Sequence, residues 1–361
     1  MAVGGRRVLF VDFSETATHA DTLFSVVQFL AGCDVRYVLD PSYRGFLPEA
    51  LDPAHIVWLP AGRGQRASVM TAWVAAREVR RFRPDAVHVN GAQGRRARSF
   101  ALMTLRSSAT FSGTHHNAEK LLRSTSQYLI NLRIRRYGVL ADFIRDGIRP
   151  HLAAGIMVES TRPIFFPQGH AAPPTDRTRI VIVGSLDNDR RDYKGLIRLL
   201  ADGPPLDSRL ELLLLGDAST ESGRAIRSAI EATPAASQVR FKERFVSFPE
   251  LFREVEASHA VLPLIHPETP RFNDYCQTKL TGASLLALGF RKPMLLHQRL
   301  AGLCDYRAIA IGYDMSELPH LLNRLATGPE ELAAAARGFE SRDDLDLVRE
   351  SRRFHDLLGL A

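Results

Sequence analysis

The sequence predicts an α/β protein of two Rossmann-like domains that face a cleft, and three observations lead to this expectation. Short apolar segments of strand length alternate with segments of helical periodicity, which is the pattern of parallel sheets covered by helices. The alternation stops in a turn-rich stretch over 171–176 and then starts again. A chain of 361 residues is too long for one ordinary domain and long enough for two.

The N-terminal half opens with a predicted buried strand over 6–12, where a short apolar run follows basic residues. A helix is predicted over 19–31, because Leu23, Val26, Val27 and Leu30 have the spacing i, i+3, i+4, i+7. The remaining predictions for this half are strands over 33–39, 55–59, 85–90 and 109–112 and a helix over 69–82.

The C-terminal half has its own predicted parallel sheet, which indicates a second domain. Its predicted strands cover 179–183, 210–215, 239–241, 260–264 and 293–296, and its helices cover 195–201, 223–232, 248–257 and 281–288. A charged helical stretch over 341–360 is either the last helix of the second domain or a helix that crosses back to the first domain, and we favour the second interpretation. We therefore predict a first domain over 1–168, a second over 178–338 and a crossover helix within 339–361.

The composition favours a globular protein of a reducing compartment. The hydrophobic fraction is 45% and the charged fraction 24%, and no apolar run approaches the roughly 18 residues that span a bilayer. Asp12 interrupts the apolar run at the N-terminus, so a signal peptide is not expected. Cys33, Cys276 and Cys304 form no CxxC pair, which argues against a disulfide framework or zinc site and favours the cytoplasm.

The positive charge is concentrated in the first half of the chain. Residues 1–168 contain 22 Lys and Arg against 13 Asp and Glu, a net charge of +9, whereas the remainder contains 25 against 27, a net charge of −2. The arginine clusters are either a solvated surface or a face that binds anionic lipid, which would place the protein peripherally on the inner face of the membrane. Nucleic acid is not expected as a partner, since no aromatic residues alternate with the arginines.

Ligands of open parallel sheets bind where strands end, so the segments after the predicted strands are the candidate sites. Gly184 and Ser185 follow one strand, and Lys194 opens the next helix. A glycine lets a phosphate approach the backbone, and a lysine supplies a point charge for it. The alternative is an ordinary turn glycine and a surface lysine. The chain has neither a Walker A loop nor a GxGxxG motif, so no dinucleotide or other cofactor is expected.

A second candidate anion site lies in the segment 273–284, before an apolar helix. Lys279, Thr281 and Gly282 would surround the free N–H groups of the helix start. The alternative is an ordinary threonine N-cap beside a glycine.

Two segments of the first half carry candidate catalytic side chains. His115 and His116 follow the predicted strand over 109–112, and one of them could contact a sugar hydroxyl or the reacting centre. Glu15 and His19 follow the first strand and could act as a general base, or they could be ordinary surface residues of a helix start. The triplet Asp187-Asn188-Asp189 matches a metal-binding D-x-D, but its place between a strand and a helix favours a loop, and no metal is expected.

Taken together, these segments resemble the two-domain (GT-B) glycosyltransferases, especially the group 1, retaining-type family of bacterial surface polysaccharide synthesis. The strand-end Gly184-Ser185, the helix start Lys194-Gly195 and the run Gly289–Met294 are similar to motifs of the second domain. Residues 85–90 and 114–117 look like the family's Asp-Val-Val-His strand and Thr-x-His-Asn loop, which makes His116 the match for its sugar-contacting histidine.

The resemblance implies transfer of a sugar from a nucleoside-diphosphate sugar to a lipid-linked or polysaccharide acceptor. The donor phosphates would bind the second domain at Gly184, Ser185, Lys194, Lys279, Thr281 and Gly282, and the acceptor would approach His116, Glu15 and His19 of the first. The alternatives are a nucleotide-sugar epimerase and a non-catalytic subunit that binds sugar nucleotides or glycans.

The sequence also departs from the family pattern. Thr278 and Leu286 stand where retaining members carry two glutamates, and Ser185 replaces the arginine that follows the glycine. Lys279 with Thr281 and Gly282 is similar to a Lys-x-Ser-Gly variant of divergent members.

Overall fold

The structure is a computed structural model that describes residues 5–17, 19–62 and 64–360. The chain forms two compact units, each with one parallel sheet. Unit 1 comprises the chain up to Phe165, residues 277–279 and the chain from Asp344 onward, and unit 2 comprises 166–276 and 280–343. The two predicted parallel α/β domains are thus confirmed, with a division between Phe165 and Phe166.

Unit 1 contains a seven-stranded sheet of order β3-β2-β1-β4-β5-β6-β7. Its strands are β1 (Arg7–Asp12), β2 (Asp34–Leu39), β3 (Ile56–Trp58), β4 (Ala86–Asn90), β5 (Thr110–His115), β6 (Arg136–Val139) and β7 (Met157–Ser160). The helices between them are α1 (Thr22–Phe29), α2 (Gln65–Phe82), α3 (Gly94–Met103), α4 (Glu119–Arg123), α5 (Thr125–Asn131) and α6 (Asp142–Ile148).

Unit 2 contains a six-stranded sheet of order β10-β9-β8-β11-β12-β13. Its strands are β8 (Thr178–Val183), β9 (Leu210–Asp217), β10 (Val239–Lys242), β11 (Ala260–Val261), β12 (Met294–His297) and β13 (Ala310–Tyr313). The helices that follow β8 to β11 are α7 (Tyr193–Asp202), α8 (Glu221–Glu231), α9 (Phe248–Glu256), α10 (Phe272–Gln277) and α11 (Gly282–Gly289), and those after β12 are α12 (Gln298–Ala301), α13 (Leu318–Thr327) and α14 (Glu330–Arg337).

Helices cover both faces of the unit 1 sheet. Phe100 of α3 packs on Phe111 of β5, which is paired with Val87 of β4 and therefore points to the same face as that residue. The next residue of β4, His88, points to the opposite face because side chains alternate along a strand. There it contacts Phe354 of α15 (Leu347–Leu358), the last helix of the chain.

Helix α15 packs within unit 1, against α1 and the strands β4 to β7. The His355 ring bonds the Phe29 carbonyl at 2.6 Å, and the Arg136 Nε donates to the Leu357 carbonyl at 2.9 Å. Gly138 of β6 allows this approach, because a side chain there would lie 3.1 Å from Leu357 and closer still to Thr161. The helix is shorter than the stretch predicted over 341–360, because it covers only Leu347–Leu358 and 3₁₀ turns precede it.

Two predicted strands have different ends in the structure. The strand expected over 109–112 continues to His115, so this histidine belongs to the sheet rather than to a loop. The strand expected over 260–264 ends at Val261. Pro263 has no N–H for a sheet, and Leu264 has a positive φ of 56°, which together explain the early end.

Candidate functional site

The carboxyl ends of β1 and β4 form the switch point of the unit 1 sheet. From β1 the chain builds β2 and β3 on one side, then returns to place β4 on the other side of β1. Open parallel sheets bind ligands at such a point. A cavity of about 350 Å³ lies here, and six of its polar lining residues are Glu15, His19, Ser68, Gln93, Arg95 and Arg96. Two predicted catalytic residues thus line one cavity.

Arg96 fixes the position of Glu15 in this cavity. The Arg96 side chain is buried, and its guanidinium lies 3.1 Å from a Glu15 carboxylate oxygen and 3.2 Å from one of Asp40. It also donates to the Gly62 carbonyl at 2.8 Å. Glu15 is therefore an ion-pair partner of a buried arginine, whichever role it has toward a ligand.

His19 and His116 meet at the edge of the cavity. Their rings stack with centroids 3.7 Å apart and an angle of 10° between the planes. The two residues are 97 positions apart in the sequence, so no local pattern indicates this contact. Both are predicted as catalytic from their places after strands. The structure thus brings all three predicted catalytic residues, Glu15, His19 and His116, to one edge of the sheet.

A chain of buried hydrogen bonds determines which nitrogen of His116 carries the proton. Asp12, at the end of β1, accepts from the Tyr43 hydroxyl at 2.7 Å and from the Asn90 amide at 2.6 Å. Because a carboxylate only accepts, Asn90 must present its NH₂ to Asp12 and its carbonyl to His116, 3.0 Å away. His116 Nε2 is therefore the donor nitrogen, and Nδ1 is left as the acceptor.

The environment keeps His116 neutral. Burial is the largest cause that lowers its pKa well below the usual value, and the nearby His19 adds to the effect. A neutral imidazole with an acceptor Nδ1 can take a proton or receive a hydrogen bond from a hydroxyl.

Asp21 is a further titratable group at this edge that the sequence did not indicate. It precedes α1 directly, and burial raises its pKa to about 6. Its charge also raises the pKa of Tyr43, so Asp21 lies near the hydrogen-bonded pair of Tyr43 and Asp12. Such a carboxyl exchanges protons close to neutral pH, a property common at functional sites.

The neighbouring histidines of β4 and β5 have different surroundings. His115 is buried and packs on Tyr137, and burial lowers its pKa to about 4. His88 is buried between the hydroxyls of Ser112 and Thr114, at 2.9 and 3.0 Å, and burial lowers its pKa to about 3. Of these three histidines, His116 is the one that is partly exposed at the strand ends.

In unit 2, the predicted donor residues Gly184, Ser185 and Lys194 lie after β8. Gly184 has a φ of +119°, and a side chain at this position would overlap the guanidinium of Arg191. Ser185 and Lys194 are exposed. The first N–H groups of α7 already have hydrogen-bond partners. The backbone N–H of Gly195 donates to the Asp192 carboxylate at 2.8 Å, and the backbone N–H of Lys194 donates to the side-chain oxygen of Asn188 at 3.0 Å.

Lys279, Thr281 and Gly282 are divided between the units. The Thr281 hydroxyl caps α11 by accepting from the Ala283 N–H at 3.0 Å, which is the ordinary role considered for it. Lys279 belongs to unit 1, where its backbone pairs with that of Asn117. The Ala118 N–H donates to the Thr278 carbonyl at 2.9 Å. Lys279 is therefore fixed next to the loop that carries His116.

The D-x-D triplet is a turn in the structure, where the Asp189 N–H donates to the Asp187 carboxylate at 2.8 Å. Over residues 5–17, 19–62 and 64–360, no three His, Cys, Asp or Glu side chains are placed to hold a metal ion. Within the same ranges, no helix is both long and apolar enough to cross a membrane.

Comparison with solved structures identifies the fold. HepE from Anabaena, solved with UDP and glucose, superposes with a TM-score of 0.69 at 13% identity, covering 99% of this chain and 100% of its own. A glycosyltransferase from Rickettsia africae gives 0.67 at 11% identity, with 99% and 100% covered. A Listeria monocytogenes protein assigned as a UDP-N-acetylglucosamine 2-epimerase gives 0.62 at 11%, with 98% and 96% covered.

The sequence matches no protein-family model and no curated protein. The structural likeness nevertheless extends over the whole chain, so the protein has the fold of the GT-B glycosyltransferases, as the resemblance implied.

Proposed function

We propose that the protein is a glycosyltransferase, a hexosyltransferase that moves a sugar from a nucleoside-diphosphate sugar to a lipid-linked or polysaccharide acceptor. The observation that carries this proposal is the neutral His116, which stacks on a residue of the polar cavity at the switch point of a GT-B fold. The UDP and glucose of the HepE structure support a nucleotide sugar as the donor.

Unit 2 supplies the donor phosphate contacts in this proposal. Gly184 and Ser185 follow β8, and Lys194 lies in the first turn of α7. Thr281 is the N-cap of α11, and Gly282 is its first residue. Because the first N–H groups of α7 are bonded within the protein, Lys194 would contribute its side-chain charge to a leaving diphosphate, and Gly282, at the start of α11, would contribute its backbone N–H. We expect no metal or other cofactor. Lys279 adds a cation beside the His116 loop.

Unit 1 receives the acceptor in the cavity. Hydroxyl groups suit its polar lining of Ser68, Gln93 and Glu15. If the reaction inverts the anomeric centre, His19, His116 or Glu15 removes the proton of the attacking hydroxyl. If it retains the configuration, His116 contacts the transferred sugar and no such base is needed.

Two alternative functions use the same nucleotide-sugar ligand but do not transfer the sugar to an acceptor. The likeness to the Listeria protein favours an epimerase, which would need acidic and basic groups around the sugar, as His116 and Asp21 could provide. Thr278 and Leu286, where retaining relatives carry glutamates, favour a non-catalytic subunit.

One experiment separates the three functions. A thermal-shift panel of nucleotide sugars identifies the donor, which is then incubated with and without a lipid-linked glycan. A transferase releases nucleoside diphosphate and extends the glycan when it is present. An altered sugar formed without acceptor indicates an epimerase, and binding with neither product nor donor hydrolysis indicates a binding subunit.

The surface of unit 1 supports association with an anionic membrane. Among the described residues, eight of the ten exposed large hydrophobic side chains lie on α2, at the end of α3 and on α5, which pack side by side. These eight are Val69, Met70, Trp73, Leu102, Met103, Leu105, Tyr128 and Leu132.

Helix α2 combines this apolar surface with positive charge. Arg66, Met70, Trp73 and Arg77 are exposed and spaced four, three and four residues apart, so they form one stripe along the helix. The Arg77 guanidinium lies 5.3 Å from the Trp73 ring centroid. Basic residues at both ends of an apolar stripe are typical of helices that lie in the interface of an anionic bilayer.

A further inference from the structure

Three arginines are buried in the described chain, and they differ in how their charge is balanced. Arg162 has carboxylate oxygens of Asp142, Asp344 and Glu350 around it. Arg96 has Glu15 and Asp40. Arg191 is 7% exposed, and within the described ranges no carboxylate comes within ion-pair distance of it.

The protein gives the Arg191 guanidinium few contacts. It lies against Gly184, just after β8, and its Nη1 donates to the Pro263 carbonyl just after β11. Among the described residues, its Nε has no hydrogen-bond partner, and neither does the buried hydroxyl of the nearby Tyr193. The described part of the chain thus leaves two neighbouring buried donors without acceptors.

This arrangement is unfavourable for the protein alone. A buried charge is normally paired, because the removal of an ion from water is strongly unfavourable. Burial accordingly lowers the pKa of Arg191, and the neighbouring Arg190 adds to this effect. An anion at the β8 and β11 ends would supply the missing partner and acceptor.

We propose that Arg191 binds the diphosphate of the donor, in the position that Ser185 leaves without a cation. This inference rests on the proposed function for the identity of the ligand. The planar guanidinium can hold two phosphate oxygens at once, which the point charge of Lys194 cannot do. Gly184 is then required because it leaves room for the Arg191 side chain.

Calorimetric titration with inorganic pyrophosphate tests the assignment without any sugar or acceptor. We expect Arg191→Met to weaken pyrophosphate binding about 10- to 100-fold, the range for a lost hydrogen bond to a charged group. Arg190→Met is the matched control, because it removes the same charge from the adjacent, exposed arginine. The control should bind within about twofold of the parent chain, since exposed charges are screened.

A second readout distinguishes a ligand contact from a structural one. Without ligand, Arg191→Met should melt at the same temperature as the parent or higher, because it removes an unpaired buried charge. At the same concentration, pyrophosphate should raise the melting temperature of the parent more than that of Arg191→Met. If Arg191→Met does not fold, Arg191→Lys decides, with binding weakened about fivefold or more as support.

Unchanged pyrophosphate affinity in a folded Arg191 variant overturns the inference, as does equal loss in Arg190→Met or the absence of pyrophosphate binding by the parent. These results are distinct from failure of the proposed function. A parent chain that binds pyrophosphate through Arg191 but neither binds nor turns over any nucleotide sugar would refute the transferase and leave the anion site in place.

Discussion

The imidazole rings of His19 and His116 stack 3.7 Å apart and are nearly parallel. Two protonated imidazoles at this distance repel each other, so the pair favours holding at most one proton. His116 donates through Nε2 to Asn90, which leaves one acceptor nitrogen on that ring at neutral pH. The pair is thus built to receive a single proton.

Replacing His116 by alanine should lower kcat by about 10²- to 10⁴-fold if it is the general base. His19→Ala and Glu15→Gln test the other two candidates. The control is His151→Ala, an exposed histidine of the same unit. Full turnover by His116→Ala would remove it from the site. If His116→Ala alone is impaired, His19 and Glu15 are not the base, and NMR of the product anomer then separates contact with a retained sugar from base catalysis.

Replacing Lys279 by alanine should weaken nucleoside-diphosphate binding by about 1.5–3 kcal/mol, the scale of a hydrogen bond to a charged group. Lys120→Ala, an exposed lysine of unit 1, is the control. Titration calorimetry measures both. A folded Lys279→Ala with the affinity of the parent chain would show that this lysine does not contact the donor.

Acid should destabilise unit 1 through His88. Burial lowers its folded pKa to about 3, whereas an unfolded histidine titrates near 6.5. The unfolded chain therefore binds the proton first, and stability is lost as pH falls from about 6.5 towards 3, at up to about 1.4 kcal/mol per pH unit.

Urea unfolding at several pH values measures this slope. Both tryptophans, Trp58 and Trp73, lie in unit 1, so their fluorescence reports on that unit. We expect His88→Gln to reduce the slope by about 1.4 kcal/mol per pH unit, with the remaining slope including His115. An unaltered slope would mean that His88 is not held neutral in the fold.

The full chain should bind vesicles in proportion to their content of anionic lipid, and added salt should weaken the binding because screening at 0.15 M acts over about 8 Å. The double variant Met70→Ser, Trp73→Ser should lose most of it through the lost apolar burial. Phe245→Ser changes a comparably exposed side chain of unit 2 and should have no effect. Binding that is independent of salt, or equal loss in both variants, would place the contact elsewhere.

The sequence predicts the inner strands of the two sheets better than the strands at one side of each sheet. Apolar runs such as β1 and β8 are recognisable because both of their faces are buried. The sequence analysis predicts no strand at β6, β7 or β13, which have four residues each. Strand β6 contains Gly138, a residue type that is rare in strands. The glycine is needed there because a side chain would come too close to Thr161 and to Leu357 of α15.

The sequence likewise indicates some residues of the candidate site and misses others. Positions after strands indicated Glu15, His19 and His116, because the carboxyl ends of parallel strands share one edge. The Asp12–Asn90 contact joins residues 78 apart and left no local pattern. The family pattern points to the residue directly after Gly184, which is Ser185, and gives no signal for Arg191, which lies seven residues after Gly184 in sequence but against it in the fold.

The return of α15 to unit 1 sets an order for biosynthesis. A ribosome completes residues 166–343, with the entire sheet of unit 2, before it makes Leu347–Leu358. Until then Phe29 and the face of the sheet around His88 lack the cover of Phe354. Nascent chains usually fold from the N-terminus onward, but here the half that is translated first is the last to be finished. A chain that is truncated after residue 343 should therefore resist protease in unit 2 while unit 1 is still cleaved.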